Sequence, residues 1–402
     1  MSPRADKLRG VTQRGAIMQP VVAAAKRIYF LDNLKSAVIV LVILHHAAIA
    51  FMSAALPGWG IHDVRTSAVF DWLVAWDDTF IMPLMFFVSG YFALGSAVKY
   101  SAAQFLKGKW FRIGWPWLIG ILFLAPVTWH VSHSGFGNWG ELFDWRARLQ
   151  FFYPAQYWYL NLLLWFYLLA LVLYKRMPEV FQRRAAPVLP ERWQLWAFAC
   201  TCFLGMVALN LFMPDGQWSA SPLLTCQWVR VPLYFGFFLL GIWAWRNHWF
   251  AQEGYLPAWK PWTLAAVVCS LGYIGVRAYF HFTGLALPAP WAILADQGLR
   301  VLLCMVCAFA AIALFQRYAD SASPVWKRLS ASAFAVYWIQ QPVVNIVAQL
   351  VREWEMNCAL KFALVSLATM AISFWLAERL LLKLPFFAPE QKKAPLKQAV
   401  RI

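Results

Sequence analysis

Charge is scarce in this chain. Of its 402 residues, 13% are Asp, Glu, Lys or Arg, about half the share of a soluble globular domain. Carboxylates are the rarer sign: 18 Asp and Glu face 35 Lys and Arg, for a formal net charge of +17. Nothing repeats at a solenoid period, and no stretch reads as a soluble domain of useful size. No nucleic-acid motif accompanies the basicity, so nucleic acid is not an expected partner. Cysteine is informative mainly by what it does not form. The seven cysteines lie mostly in apolar runs, and the CxxC of Cys304 and Cys307 has no second ligand pair. Packing is the favoured reading there over zinc or redox chemistry, and no metal site is expected.

Apolar side chains fill the space that charge leaves. The chain is 62% hydrophobic and 18% aromatic, and its apolar runs recur at a length of about 20 residues. A β-barrel would alternate polar and apolar at every second position instead. The predicted fold is therefore an all-α polytopic membrane protein of about ten transmembrane helices. Their expected positions are about 35–56, 78–98, 114–131, 157–174, 193–213, 229–247, 262–282, 298–317, 331–351 and 359–383. With both termini cytoplasmic, roughly three quarters of the Lys and Arg fall on the cytoplasmic side, a strong positive-inside pattern. The basicity is thus topological. Residues 1–27 read as a basic cytoplasmic tail rather than a cleaved signal peptide, 28–385 as the transmembrane domain, and 386–402 as a second basic tail.

The first apolar run carries groups that bilayers penalise. Lys35 stands near its start and His45 and His46 at its middle; an ionisable residue at such depth usually faces the protein interior or a wet cavity. On an α-helix the step from Lys35 to His46 comes to about 20° off register and about 16 Å along the axis. The two share a face. His45 lies about 80° to the flank and Asp32 within about 40° of His46, which makes His46 the candidate catalytic histidine. The alternative is open: Lys35 as a snorkelling anchor, with the imidazoles packed against polar neighbours.

Later segments add weaker candidates. An external loop with His62, Asp63, Arg65 and Asp71 precedes the second span, which opens near Asp77 and Asp78 and contains Ser89 and Gly90. Those small residues admit a ligand or, equally, another helix backbone. The next loop is cytoplasmic and basic, with Lys99, Lys107, Lys109 and Arg112. Lys109 and Arg112 are three apart on one helix face, able to hold phosphates or simply to anchor at anionic lipid. The longest external loop carries His130, His133, Glu141, Asp144, Arg146 and Arg148, with aromatics and amides that suit a sugar-like acceptor or an interfacial belt. Arg230, Arg277 and His281 fall at or near external ends, placed to meet a polar acceptor or, the favoured reading, to act as interfacial anchors. Gln340, Gln341 and Pro342 interrupt the ninth span and read as a kink lining a cavity.

Four segments, in chain order, resemble the acyltransferase type 3 family. Asp32-Asn33-Leu34-Lys35 followed by His46 is similar to its first-helix signature, a basic residue ten intervening positions before a histidine. Phe86-Phe87-Val88-Ser89-Gly90-Tyr91-Phe92 resembles its second-helix motif. Lys109-Trp110-Phe111-Arg112-Ile113 with Pro116 looks like its cytoplasmic Arg-x-x-Arg patch, and Ala333-Phe334-Ala335-Val336-Tyr337-Trp338-Ile339 like its late helix. The likeness covers residues 28–385 or thereabouts. Tyr29-Phe30-Leu31-Asp32 and Tyr157-Trp158-Tyr159-Leu160 look most like the branch of the glucan-modifying protein C, which decorates periplasmic glucans with succinyl groups. The chain departs from the pattern at Lys35, where arginine is common, at Leu163, where many members have glutamate, and at Gln340 and Gln341, where a histidine often precedes the late proline.

The resemblance implies acyl transfer across a bacterial inner membrane, from cytoplasmic acyl-CoA to a hydroxyl of an extracytoplasmic glycan. Acyl-CoA enters as the donor substrate, and no permanently bound cofactor is expected. His46 would deprotonate the acceptor or carry the acyl group itself. Lys35 would stabilise the thioester oxygen or hold a CoA phosphate, and Lys109 and Arg112 would dock the nucleotide end. Ser89 and Gly90 would make room for the pantetheine arm. The competing expectation is a transporter or flippase of a glycan or lipid-linked intermediate, with no bond chemistry and no special role for Lys109 and Arg112.

Overall fold

A computed structural model describes residues 27–388, apart from 57, 99, 141–152, 222–223 and 252. Among the described residues, ten helices are long and apolar enough to cross a membrane: Tyr29–Ile49, Ala68–Gly95, Ala102–Ser134, Ala155–Arg176, Arg192–Asn210, Trp228–Arg246, Trp259–Thr283, Ala289–Tyr318, Pro324–Val351 and Cys358–Lys383. They are called spans 1 to 10 below. The strands found among the described residues are Trp218–Ala220 and Thr225–Gln227, an antiparallel pair between spans 5 and 6. An even number of spans, each reversing the one before, would return the two ends of the bundle to one face. The basic tails, and Glu141, Asp144, Arg146 and Arg148 of the long loop, lie outside the described residues.

Several span boundaries differ from the hydropathy expectation, some of them where a polar side chain finds a partner inside the bundle. Span 1 begins at Tyr29 instead of 35, so Lys35 sits well inside the helix rather than at its start. Its early turns are tied to the connection between spans 8 and 9: Asn33 Nδ2 donates to the carbonyls of Ala319 and Ser321 at 2.6 and 3.0 Å, and the Phe30 amide to Asp320 at 3.1 Å. Span 1 ends early, at Ile49. The following chain folds back, burying Phe51, Met52 and Ile61.

Span 2 begins at Ala68, ten residues before the expected start. It is a helix from Ala68 to Asp77, a turn over residues 78–80, and a helix from Ile81 to Tyr91. Asp71, Asp77 and Asp78 are therefore inside the span; a hydropathy reading stops at carboxylates whose compensating charges lie on other helices. Span 3 likewise starts at Ala102, behind a capping box of Ser101 and Gln104, so Lys107, Lys109 and Arg112, expected in a loop, are helical, and Lys99 lies outside the described residues. Span 3 contains two π-helical turns, Trp110–Gly114 and Gly120–Leu124. Each lies just before a proline, Pro116 or Pro126, whose missing N–H and ring clash a wider turn accommodates. Pro342 does not break span 9, which is helical from Pro324 to Val351.

Span 1 is central, packed against spans 2, 8, 9 and 10. Spans 2 and 6 approach most closely, because a Cβ on Gly90 would run into the Phe238 carbonyl and one on Gly241 into the Phe87 carbonyl. Spans 5 and 7 are peripheral and leave most of their side chains to the surroundings.

Candidate active site

The last turns of span 1 present the two imidazoles to different helices, as their 100° separation requires. His45 Nδ1 lies 2.6 Å from Asp77 Oδ1 of span 2, and the Asp77 carboxylate is almost fully buried. His46 Nδ1 lies 3.0 Å from Gln340 Oε1 of span 9. Both partners are acceptors as placed, which puts the ring proton on Nδ1 and the lone pair on Nε2 in each neutral histidine. Neither Nε2 has a partner among the described residues, and neither is among the buried atoms left without one. The rings are 5.5 Å apart between centroids. Each is half-buried.

A lid closes over His46. The Trp59 indole stacks on the imidazole at 5.6 Å and 28°. The loop that carries it is anchored by Asp63, whose two oxygens accept from Lys361 Nζ at 2.8 and 2.9 Å. Lys361 is fully buried in span 10 and also donates to the Arg352 carbonyl at 2.9 Å. Asp71 helps from below, accepting from the amides of Ser53 and Ala54 at 3.1 and 3.0 Å.

The adjacent carboxylate, Asp78, belongs to a separate charge network. It pairs with Arg230 and, at 3.6 Å, with Arg300; Asp215 bridges the same two guanidiniums at 3.2 Å each. Arg300 also reaches Asp296, itself 2.7 Å from Arg277. Arg230 is therefore an interior ion-pair residue and not the interfacial anchor expected from sequence, since two carboxylates compensate its burial. Burial raises the Asp215 carboxyl, but Arg230 and Arg300 outweigh it and hold the group below 3.8.

The other expected site residues lie toward the opposite face. Lys35 Nζ is 3.0 Å from Asp32, which also pairs with Arg27 at 2.8 Å, and stands 5.3 Å from the Phe92 ring centroid. Lys109 Nζ caps the Tyr167 ring at 3.9 Å, whereas Arg112 is exposed. The π turn beginning at Trp110 lies between them and widens the angle that three α-helical steps would give. Ser89 Oγ is 2.9 Å from the Tyr159 hydroxyl, and the Tyr167 hydroxyl donates to the Ser89 carbonyl at 3.5 Å. Lys109, Tyr167, Ser89 and Tyr159 thus form a polar seam running inward from the basic end. Gly90 is filled by the span 6 backbone, which is the helix-packing reading of that small residue rather than room for a substrate arm.

Residues 28–378 match a family model described as an acyltransferase domain, of the acyltransferase 3 type. The chain belongs to the acyltransferase 3 family. It is accordingly a multi-pass membrane acyltransferase. No curated protein and no solved structure matches it significantly. In this acyltransferase the sequence marks His46, but it does not mark His45 with Asp77, Gln340 as the partner of His46, or Trp59. One signal was present: two carboxylates at 77–78 border an apolar run, where a charge needs a partner.

Proposed function

We infer that this acyltransferase moves an acyl group, acetyl or succinyl, from acyl-CoA to a hydroxyl of an extracytoplasmic glycan. The basic end of the bundle is the cytoplasmic face of a bacterial inner membrane, as the bias of Lys and Arg favours. One observation carries the reading: His46 offers an unpartnered Nε2 inside the bundle, held by Gln340, on the same unbroken helix as Lys35. The separation of about 16 Å along that helix is comparable to an extended pantetheine arm. Given that separation, the role we assign to Lys35 is holding a CoA phosphate rather than meeting the thioester oxygen. Lys35, Lys109 and Arg112 hold the nucleotide end, and the arm follows the seam of Tyr167, Ser89 and Tyr159 toward the imidazoles.

The test is label transfer by the purified protein in liposomes. Radiolabelled acetyl- or succinyl-CoA is supplied on the face of Lys109, with a β-glucan oligosaccharide on the other. Wild type should label the glucan and His46→Ala should not. Glucan movement without CoA, and no label from either donor, would instead establish a transporter.

A further inference from the structure

We propose that the two adjacent imidazoles divide the reaction: His46 takes up the acyl group, and His45, oriented by Asp77, is the general base that passes it to the acceptor. The inference rests on the donor and acceptor classes just given and adds His45 as a second catalytic residue.

The two rings differ in what stands behind them. His45 has the buried Asp77 carboxylate on Nδ1 at 2.6 Å. A carboxylate there fixes the tautomer and compensates the positive charge the ring acquires when Nε2 takes a proton, the arrangement a general base requires. His46 has a neutral amide on Nδ1 at 3.0 Å. An amide carries no charge to hold a proton on Nε2, so His46 keeps its lone pair for an electrophile, while the amide oxygen can still accept from Nδ1–H when the ring is acylated. Direction agrees with chemistry. His46 lies on the helix face of Lys35, along which a donor would extend, whereas His45 lies about 80° away on the side of span 2. With centroids 5.5 Å apart, one acyl carbon on His46 Nε2 lies within reach of a hydroxyl held by His45.

The steps balance. His46 Nε2 attacks the thioester carbon, the C–S bond breaks, and the pair leaves as CoA thiolate beside an acyl-imidazolium. The acceptor oxygen then attacks the acyl carbon while its proton passes to His45 Nε2, and the C–N bond breaks to return neutral His46. The proton on His45 is released to water, and the thiolate is neutralised by a proton from water.

The full chain in liposomes is charged with whichever of radiolabelled acetyl- and succinyl-CoA supports wild-type transfer, in a rapid-quench single turnover. Without glucan, wild type and His45→Gln should both acquire a hydroxylamine-labile label on residue 46, and His46→Gln none. On addition of the β-glucan oligosaccharide, wild type should discharge the label, and His45→Gln should discharge it about 10²–10⁴-fold more slowly. Asp77→Asn should retain uptake and slow discharge in the same sense, since uptake in that variant also reports an intact fold. Discharge by His45→Gln at the wild-type rate overturns the proposal, as does glucan labelling by wild type with no protein-bound label at any time. Loss of uptake in both His45→Gln and Asp77→Asn overturns it too. Wild type inert toward both donors would remove the acyl-CoA reading itself, a result separate from any of these.

Discussion

Lys361 and Asp63 show how a single buried pair can place a distant aromatic. Removing one member leaves the other as an unpaired charge in the interior, a loss of about 3–5 kcal/mol. Asp63→Leu and Lys361→Met should therefore each lower the thermal midpoint in detergent strongly, while the double variant should recover most of the difference. A double variant no better than the worse single one would mean the pair is not coupled. Because that pair anchors the loop bearing Trp59, the recovered double variant also reports how far the lid depends on it. At the opposite end, Lys109→Ala should raise KM for acyl-CoA by about tenfold with kcat little changed, the signature of a binding contact made equally in ground and transition states. A fall in kcat at constant KM would place Lys109 elsewhere.

Spans 2 and 6 depend on glycine where their backbones meet. Gly90→Ala and Gly241→Ala each drive a methyl into a backbone carbonyl, which cannot swing aside as a side chain could; about 1–3 kcal/mol of destabilisation is expected in thermal melting. Gly108 is the contrast, since nothing lies within 4 Å of a Cβ there, and Gly108→Ala should be neutral or stabilise by up to about 1 kcal/mol. The charge network behind span 2 carries a pH signature through Asp215. Its folded-state value lies below 3.8, so the stabilisation is present above that ordinary value and is lost as pH falls through the depressed one. Asp215→Asn should melt lower at neutral pH and lose less between about pH 5 and pH 3 than wild type. Parallel curves would assign the acid sensitivity to other groups.

Ten spans that reverse direction in turn would bring the two ends of the bundle to one side, which the proposed function takes as cytoplasmic from the bias of Lys and Arg. In a cysteine-depleted chain, Gln182→Cys and Ala322→Cys should react with a membrane-impermeant thiol reagent from one face of sealed vesicles, and Phe212→Cys from the other. In spheroplasts Phe212→Cys should be the outward one. The reverse would place Lys109 and Arg112 outside the cell and separate them from any cytoplasmic donor.

Composition and run length were enough for ten helices, their order and their approximate centres, because burial of apolar side chains in lipid is local and sums along the chain. They also sufficed to mark Lys35 and His46 as anomalous on a shared helix face, and four ordered segments were enough for the family. Boundaries were not legible where a partner lies on another span: Asp77 and Asp78 look like the end of an apolar run until His45, Arg230 and Arg300 are placed against them. Nor was the choice between the imidazoles. Helical phase assigned His46 a face, but whether a carboxylate or an amide stands behind each ring depends on contacts across 32 residues for His45 and 294 for His46. Such pairings are set by how helices pack, and no local pattern records them.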